Sequence, residues 1–228
     1  MDRIGVIFDC DGTLLDSMGV WRELEAELGR RAHATVTPKD TEILCTLNVP
    51  ESAQYFHDRF GLGKSGADVE RMMDEFILGY YRERAEARPG ALAFVRALAE
   101  RGVAMSVASS SPQTYLQAGL AHAGFMPYLA AVVSVEDVGS TKREPHVYHH
   151  ARDLMGTAPE LTWGFEDSVY AVRTLANAGY GVVGVFDRDD SGTMEELEAE
   201  SDLVIRSFED LDPDAFCKAV RERAARLR

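Results

Sequence analysis

An apolar run close to the amino terminus ends in paired acids: Val6-Ile7-Phe8-Asp9-Cys10-Asp11-Gly12-Thr13-Leu14-Leu15-Asp16. The stretch Ile4 to Phe8 is short, branched and aromatic, which is the composition of a buried strand. Asp9 and Asp11 follow where that strand ends, and Gly12 supplies the turn. Side chains two apart on an extended backbone point the same way, so both carboxylates face one spot. By the same alternation Cys10 points away from them and reads as a small buried apolar residue. Two acids crowded at the end of a strand repel each other unless a cation lies between them or one keeps a proton. An Asp-Gly turn alone is common, but the whole string with Thr13 and Asp16 is specific enough to mark a chemical site.

After Asp16 the pattern turns helical. Val20 to Leu28 carries Trp21, Leu24 and Leu28 on one face. Pro38 opens a second helix through Thr41 to Leu47, and Pro50 a third through Tyr55, Phe56 and Phe60. After a Gly61 to Gly66 loop, a long helix spans Asp68 to Ala87 with a stripe of Met72, Phe76, Ile77, Tyr80 and Tyr81, and Arg88-Pro89-Gly90 stops it. From there helices and short apolar strands alternate. The helices are Ala91–Arg101, Pro112–Ala123, Pro145–Met155, Val169–Ala178 and Thr193–Ala199. The strands are Val103–Ala108, Ala131–Val135, Leu161–Phe165, Gly181–Phe186 and Leu203–Ile205. Such alternation predicts a parallel sheet with helices on both faces, an α/β fold whose ligands bind at the carboxyl ends of the strands. Residues 1–15 and 88–228 are predicted to form this core, and 16–87 an inserted all-helical cap.

Three further strings fall at those strand ends. Val103 to Ala108 leads into Ser109-Ser110-Ser111-Pro112. A serine before a proline at the first helical position is an N-cap, which accounts for Ser111 and extends to Ser110. Ser109 is left to hold an oxyanion. Lys142 lies in Gly139-Ser140-Thr141-Lys142-Arg143-Glu144-Pro145, just before a proline-started helix. Trp163-Gly164-Phe165-Glu166-Asp167-Ser168 places consecutive carboxylates between a strand and a helix, which suits a hard cation such as Mg²⁺ and equally suits capping of the helix. His146, His149 and His150 share a helix, but no acid or thiol completes a transition-metal set with them. The basic stretch Arg221 to Arg228 reads as a solvated helix end.

In this order the four strings resemble motifs one to four of the haloacid dehalogenase-like hydrolase superfamily. The insertion directly after the first string matches too, so the resemblance covers the whole chain. It implies a Rossmann-like core and a two-step phosphoryl transfer. Asp9 would be the nucleophile and Asp11 the general acid and base. Ser109, Ser110 and Lys142 would cradle the phosphate with Asp9. Mg²⁺ would be held by Asp9, the backbone carbonyl of Asp11, Asp167 and Glu166. The superfamily usually shows Lys-Pro-x-Pro in the third string, and Arg143 here removes one rigidifying proline.

The implied activity is hydrolysis of a small phosphorylated metabolite. A dehalogenase would lack the second acid. A β-phosphoglucomutase-like mutase would carry a cap histidine near the position of Trp21 and a cap arginine, yet no arginine occurs between Arg31 and Arg59. A phosphonoacetaldehyde hydrolase would need a cap lysine, and Lys39 and Lys64 lie away from the motif-one junction. A non-catalytic phosphometabolite-binding descendant is the rival of another class, although all four motif positions carry competent side chains.

The bulk composition is consistent with this. The 228 residues carry a formal net charge of -14, with acids spread along the chain. Such a field disfavours nucleic acids and anionic membranes as partners and requires a phosphate site to be locally positive. Cys10, Cys45 and Cys217 are odd in number and far apart, which suits reduced thiols in the cytoplasm. Neither a signal peptide nor a membrane-length apolar stretch is visible, and the expectation is a monomer.

Overall fold

The computed structural model describes residues 3–44, 47–187 and 192–227, so Cys45 lies outside the described residues. The chain divides into two compact units, residues 19–84 and residues 1–18 with 85–228.

The first unit is helical: α1 (Val20–Arg31), α2 (Pro38–Leu44), α3 (Val49–Phe60) and α4 (Gly66–Glu83). Asn48 starts α3 with a capping box: the Glu51 N–H donates to its side chain at 2.9 Å, and its own N–H donates to the Glu51 carboxylate at 3.0 Å. Pro50 therefore sits inside the first turn rather than opening it. The buried stripe of α1 is Val20, Leu24 and Leu28, an i, i+4, i+8 row, which leaves Trp21 42% exposed. Likewise α4 buries Val69, Met73, Ile77, Tyr80 and Tyr81, so Met73 rather than Met72 faces inward. The buried Asp40 carboxylate accepts hydrogen bonds from the Thr37 hydroxyl (2.6 Å), the Thr37 N–H (2.9 Å) and the Tyr55 hydroxyl (2.6 Å), and these hold it well below the usual carboxylate range. The long helix ends at Glu83 and not at Ala87, because the next residues turn extended: Leu15 and Ala87 form an antiparallel bridge, and the Asp16 N–H donates to the Glu86 carbonyl at 3.0 Å.

The second unit is a parallel sheet of six strands, β1 (Gly5–Phe8), β2 (Ala104–Ser109), β3 (Ala131–Ser134), β4 (Thr162–Glu166), β5 (Gly181–Val185) and β6 (Leu203–Ile205), in the order β3-β2-β1-β4-β5-β6. Its helices are α5 (Ala91–Glu100), α6 (Gln113–His122), α7 (Val135–Val138), α8 (His146–Met155), α9 (Val169–Asn177), α10 (Met194–Glu200) and α11 (Pro213–Arg226). Short α7 replaces the predicted end of a strand, since Ser134 and Asp137 make a capping box there. The basic carboxyl-terminal stretch is a mostly solvated helix end: in residues 221–227 only Ala224 is buried, while the preceding turns of α11 bury Phe216, Cys217 and Val220. Among the described residues no helix is long and apolar enough to cross a membrane.

Side-chain alternation divides the core. Phe8 and Phe165, paired in register, join Phe94, Phe208 and Phe216 on one face, with Phe165 4.9 to 5.7 Å from each of the other four rings. Ile7 packs on the opposite face with Val147, Tyr148, Ala151, Val172, Leu175 and Val182. A period of two then assigns Asp9 to the side of Ile7, and Glu166 to the side of Gly164, which lies against Leu175. Chain order reverses at β1, with β2 on one side and β4 on the other, so the crevice for a ligand lies at their carboxyl ends.

Phe165 is the hub of the aromatic layer. Phe165→Ala is expected to cost about 3–5 kcal/mol in urea unfolding, the range for a fully buried phenylalanine. A loss below about 1 kcal/mol would show that the other four rings collapse into the space.

Candidate active site

Asp9 is buried and held by main chain. Its N–H donates to the Phe165 carbonyl at 2.9 Å, carrying the β1–β4 ladder one residue past the strand. Beyond it the backbone closes on itself. The Leu14 and Leu15 N–H groups donate to the Cys10 carbonyl at 2.9 and 2.8 Å, and the Gly12 N–H donates to the Leu15 carbonyl at 3.0 Å. Gly12 has φ +76°, and a Cβ there would lie 2.5 Å from Asp167 Oδ2. Glycine is thus required twice, for the left-handed turn and for the approach to a carboxylate.

Charge converges at this point. Lys142 Nζ lies 2.5 Å from Asp9 Oδ1 and 2.5 Å from Glu166 Oε1, and Lys142 is only 4% exposed. Glu166 is further engaged by the Tyr148 hydroxyl, which donates to Oε1 at 3.1 Å, and by the Ser168 N–H, which donates to Oε2 at 3.2 Å. Burial alone would lower the Lys142 pKa, but Asp9 and Glu166 outweigh it and raise it well above the usual lysine value. Asp9 and Asp167 are both pushed up, first by burial and then by neighbouring carboxylates.

Asp9, Glu166 and Asp167 each offer a carboxylate oxygen, and these three atoms lie within 4.8 Å of one another. Among the described residues, buried Asp167 Oδ1 accepts no hydrogen bond, and Asp9 Oδ1 meets Lys142 as an ion pair without an aligned hydrogen bond. Three buried acids against one lysine, with oxygens left over, fit a divalent cation that prefers oxygen ligands. The Asp11 carboxylate is not in that group. Its Oδ1 accepts from the Ser17 hydroxyl and its Oδ2 from the Ser111 hydroxyl, both at 2.6 Å.

The serine string needs correction. Ser109 is the last residue of β2 rather than the first beyond it, and its Oγ accepts the Ser111 N–H at 3.2 Å. Ser111 does not cap α6: Pro112 holds the N-cap position with no side-chain cap bond, and the Ser111 hydroxyl is spent on Asp11. Ser110 lies on the side of Tyr170, near its hydroxyl. The structure therefore gathers Asp9, Lys142, Glu166 and Asp167 in one cluster, ties Ser109 to Asp11 through Ser111, and leaves Ser110 outside that cluster, near Tyr170.

Some residues here carry no local sequence signal. Arg88, which reads as a helix stop, is nearly buried: it donates to the Gly12 carbonyl at 2.9 Å and the Phe186 carbonyl at 3.0 Å, and it pairs with Asp187. It clamps the turn that follows Asp11. Ser17 lies in the motif-one neighbourhood but reads as an ordinary polar residue. Tyr148 sits on the apolar face of α8, and only its hydroxyl reveals it. The histidines go elsewhere: His149 Nδ1 lies 2.7 Å from the Tyr180 hydroxyl, His146 is 3.4 Å from exposed Glu144, and among the described residues they form no metal-holding group.

Known proteins resemble this chain in sequence and in fold. Hexitol phosphatase A of Escherichia coli strain K12 is 30% identical over 209 residues, which span 91% of this chain and 92% of that protein. A phosphoglycolate phosphatase of Rhodospirillum rubrum is 30% identical over 190 residues, 78% of this chain and 77% of its own. In fold, a Thermotoga maritima protein provisionally described as a β-phosphoglucomutase superposes with a TM-score of 0.79 at 20% identity, covering 96% of this chain and 99% of that one. The model of the haloacid dehalogenase-like hydrolase family matches residues 5–179, and with these relatives it establishes that the chain belongs to that family.

Proposed function

We propose that this hydrolase is a Mg²⁺-dependent phosphatase that cleaves a small phosphorylated metabolite through an aspartyl-phosphate on Asp9. The observation that carries the reading is the buried contact of Asp9 with Lys142 at the switch point of the sheet, beside two further acids. Two relatives that share 30% identity with the chain are named as phosphatases, one for hexitol and one for phosphoglycolate. Cys10 and Cys217 are buried free thiols, which supports a reducing compartment such as the cytoplasm.

The residues divide the work as follows. A carboxylate oxygen of Asp9 attacks phosphorus, the bond to the leaving oxygen breaks, and the phosphoryl group rests on Asp9. Burial opposes ionisation of Asp9, and the Lys142 ammonium beside it favours the anion that attack requires. Lys142 and the Ser109 hydroxyl hold phosphate oxygens as charge redistributes. Asp11 gives a proton to the leaving oxygen and later takes one from the water that frees phosphate. Ser17 and Ser111 suit both states of Asp11, because a hydroxyl donates to a carboxylate and accepts from a carboxylic acid. Mg²⁺ bound by Asp9 and Asp167, with Glu166 and the backbone carbonyl of Asp11 beside them, would neutralise charge between nucleophile and phosphate. Glu166 also holds the Lys142 ammonium and accepts from the Tyr148 hydroxyl through the same oxygen, a task independent of metal.

Asp9→Asn should retain the far-ultraviolet circular dichroism of the wild type while losing at least about 10³-fold in turnover, since an amide is a poor nucleophile. Acid-quenched labelling should trap phosphoenzyme in the wild type alone; near-normal turnover by Asp9→Asn would remove it from the nucleophile's role.

Chelation should abolish activity and Mg²⁺ restore it, and Mg²⁺ should also raise the melting temperature by binding only the folded state. Asp167→Asn takes one of three crowded carboxylates out of the core. The metal-free variant is expected to melt above metal-free wild type and to gain little from Mg²⁺. Equal Mg²⁺-induced shifts in both proteins would exclude Asp167 as a ligand.

Hydrolysis and mutation leave different products. β-Glucose 1-phosphate, if turned over, should yield inorganic phosphate and glucose by phosphorus NMR, even with a trace of bisphosphate present. Glucose 6-phosphate forming faster than phosphate would make the chain a mutase.

A further inference from the structure

The loop that carries Lys142 departs from the family pattern at Arg143, and the structure shows what that residue rests against. The Arg143 guanidinium carbon lies 4.9 Å from the centre of the Tyr170 ring. Tyr170 stands in the first turn of α9, three positions beyond Asp167, and is 39% exposed. Ser110, the neighbour of Ser109, lies near its hydroxyl, and burial pushes that hydroxyl's pKa up. Arg143, Tyr170 and Ser110 thus form a row that crosses from the Lys142 loop to the end of β2, along the border of the acidic cluster.

Two physical points distinguish this arginine. A guanidinium resting on an aromatic face keeps its planar N–H edge directed outward and has little rotamer freedom left to lose when it binds. Among the described residues no carboxylate pairs with Arg143, and its backbone N–H is directed to the Thr141 hydroxyl at 3.3 Å. The adjacent Glu144 is engaged elsewhere, accepting from the Ser140 hydroxyl at 2.8 Å and lying 3.4 Å from His146. In a chain of net charge -14, a braced arginine with no carboxylate partner among the described residues, next to Lys142, is suited to meet an anion that arrives with the substrate.

We propose that Arg143, braced on Tyr170, is a specificity-determining residue that binds a second oxyanion, a carboxylate or a second phosphate, on the leaving portion of the substrate. The proposal rests on the phosphatase reading above and extends it from phosphomonoesters in general to those with an anionic tail. A guanidinium fork accepts either oxyanion in the same bidentate geometry, so the shared chemistry is assigned and the source is left to measurement.

The test compares matched pairs of substrates on wild type and Arg143→Gln, each saturated with Mg²⁺. For a carboxylate tail the pair is 2-phosphoglycolate and ethyl phosphate; for a phosphate tail it is fructose 1,6-bisphosphate and fructose 1-phosphate. The ratio of kcat/KM within at least one pair, anionic over neutral, should fall about five-fold or more in the variant, through KM rather than kcat. The pair that responds identifies the tail. Arg143→Lys should recover part of the ratio, because a point charge remains while the fork is lost. Tyr170→Ala should weaken the ratio and Tyr170→Phe should keep it, since phenylalanine retains the ring face. Raising the salt to 0.5 M should narrow the gap between wild type and Arg143→Gln by screening. If Arg143→Gln changes both members of each pair by the same factor, Arg143 only supports the loop in place of the missing proline and the proposal fails. If no ratio changes, it fails as well. If wild type turns over none of the four compounds, the phosphatase reading falls first and takes this one with it.

Discussion

A single ammonium group placed between two buried carboxylates organises this molecule. Lys142 touches Asp9 on one side and Glu166 on the other, at 2.5 Å from each, where water is excluded. Burying an ion pair is costly, and its mutual attraction offsets the desolvation only when the geometry is good and the remaining lone pairs are used. Glu166 meets that condition through Tyr148 and Ser168. Asp9 and Asp167 do not meet it: each keeps an oxygen that accepts no hydrogen bond among the described residues, and burial and repulsion hold both in the direction of protonation. A cluster with that imbalance is arranged for charge that comes from outside the chain.

The sheet makes such a cluster possible. Parallel strands deliver their carboxyl ends to one edge, and the reversal of order at β1 opens that edge between β2 and β4. Alternation on β1 and β4 then turns Asp9 and Glu166 to the side of α8, from which Tyr148 rises. Only glycine at position 12 lets the motif-one turn come against the Asp167 carboxylate. Arg88 fixes that turn from behind by holding the Gly12 carbonyl to the end of β5. The clustered charged groups sit at strand ends and on short loops, and the motif-one turn is pinned by main-chain hydrogen bonds and by Arg88. That rigidity is what preorganised electrostatics requires.

Ser17, Ser111 and Arg143 show how much of the chemistry depends on second partners. Ser17 and Ser111 surround Asp11 with hydroxyls that can either donate or accept, a surrounding that suits a group passing a proton in both directions. At Arg143 a cation stands where the family usually has a proline, and its guanidinium rests against the Tyr170 ring. A motif read one residue at a time shows that substitution as a defect, whereas the structure shows a matched pair.

The sequence by itself determined the architecture and which charged groups stand at the strand ends. Period-two and period-3.6 hydrophobicity, with Pro and Gly as punctuation, locates all six strands and most helices, because burial of one face leaves its period in the chain. Asp9, Asp11, Lys142, Glu166 and Asp167 were legible because each falls in a short string at a strand end. Only the tertiary structure decided which partner each group takes. Ser111 reads as a cap from its neighbour Pro112, but its hydroxyl meets Asp11, a hundred residues away in the chain. Arg88 reads as a helix stop, but its carbonyl and carboxylate partners lie 76 to 99 positions distant. The facing of α1 and α4 was off by one residue for the same reason: periodicity fixes the width of an apolar stripe, while the surface packed against it fixes the rotation. Local pattern records what a residue can do within one turn or one pleat. Long-range contacts leave no such record, because the chain encodes them only through the fold as a whole.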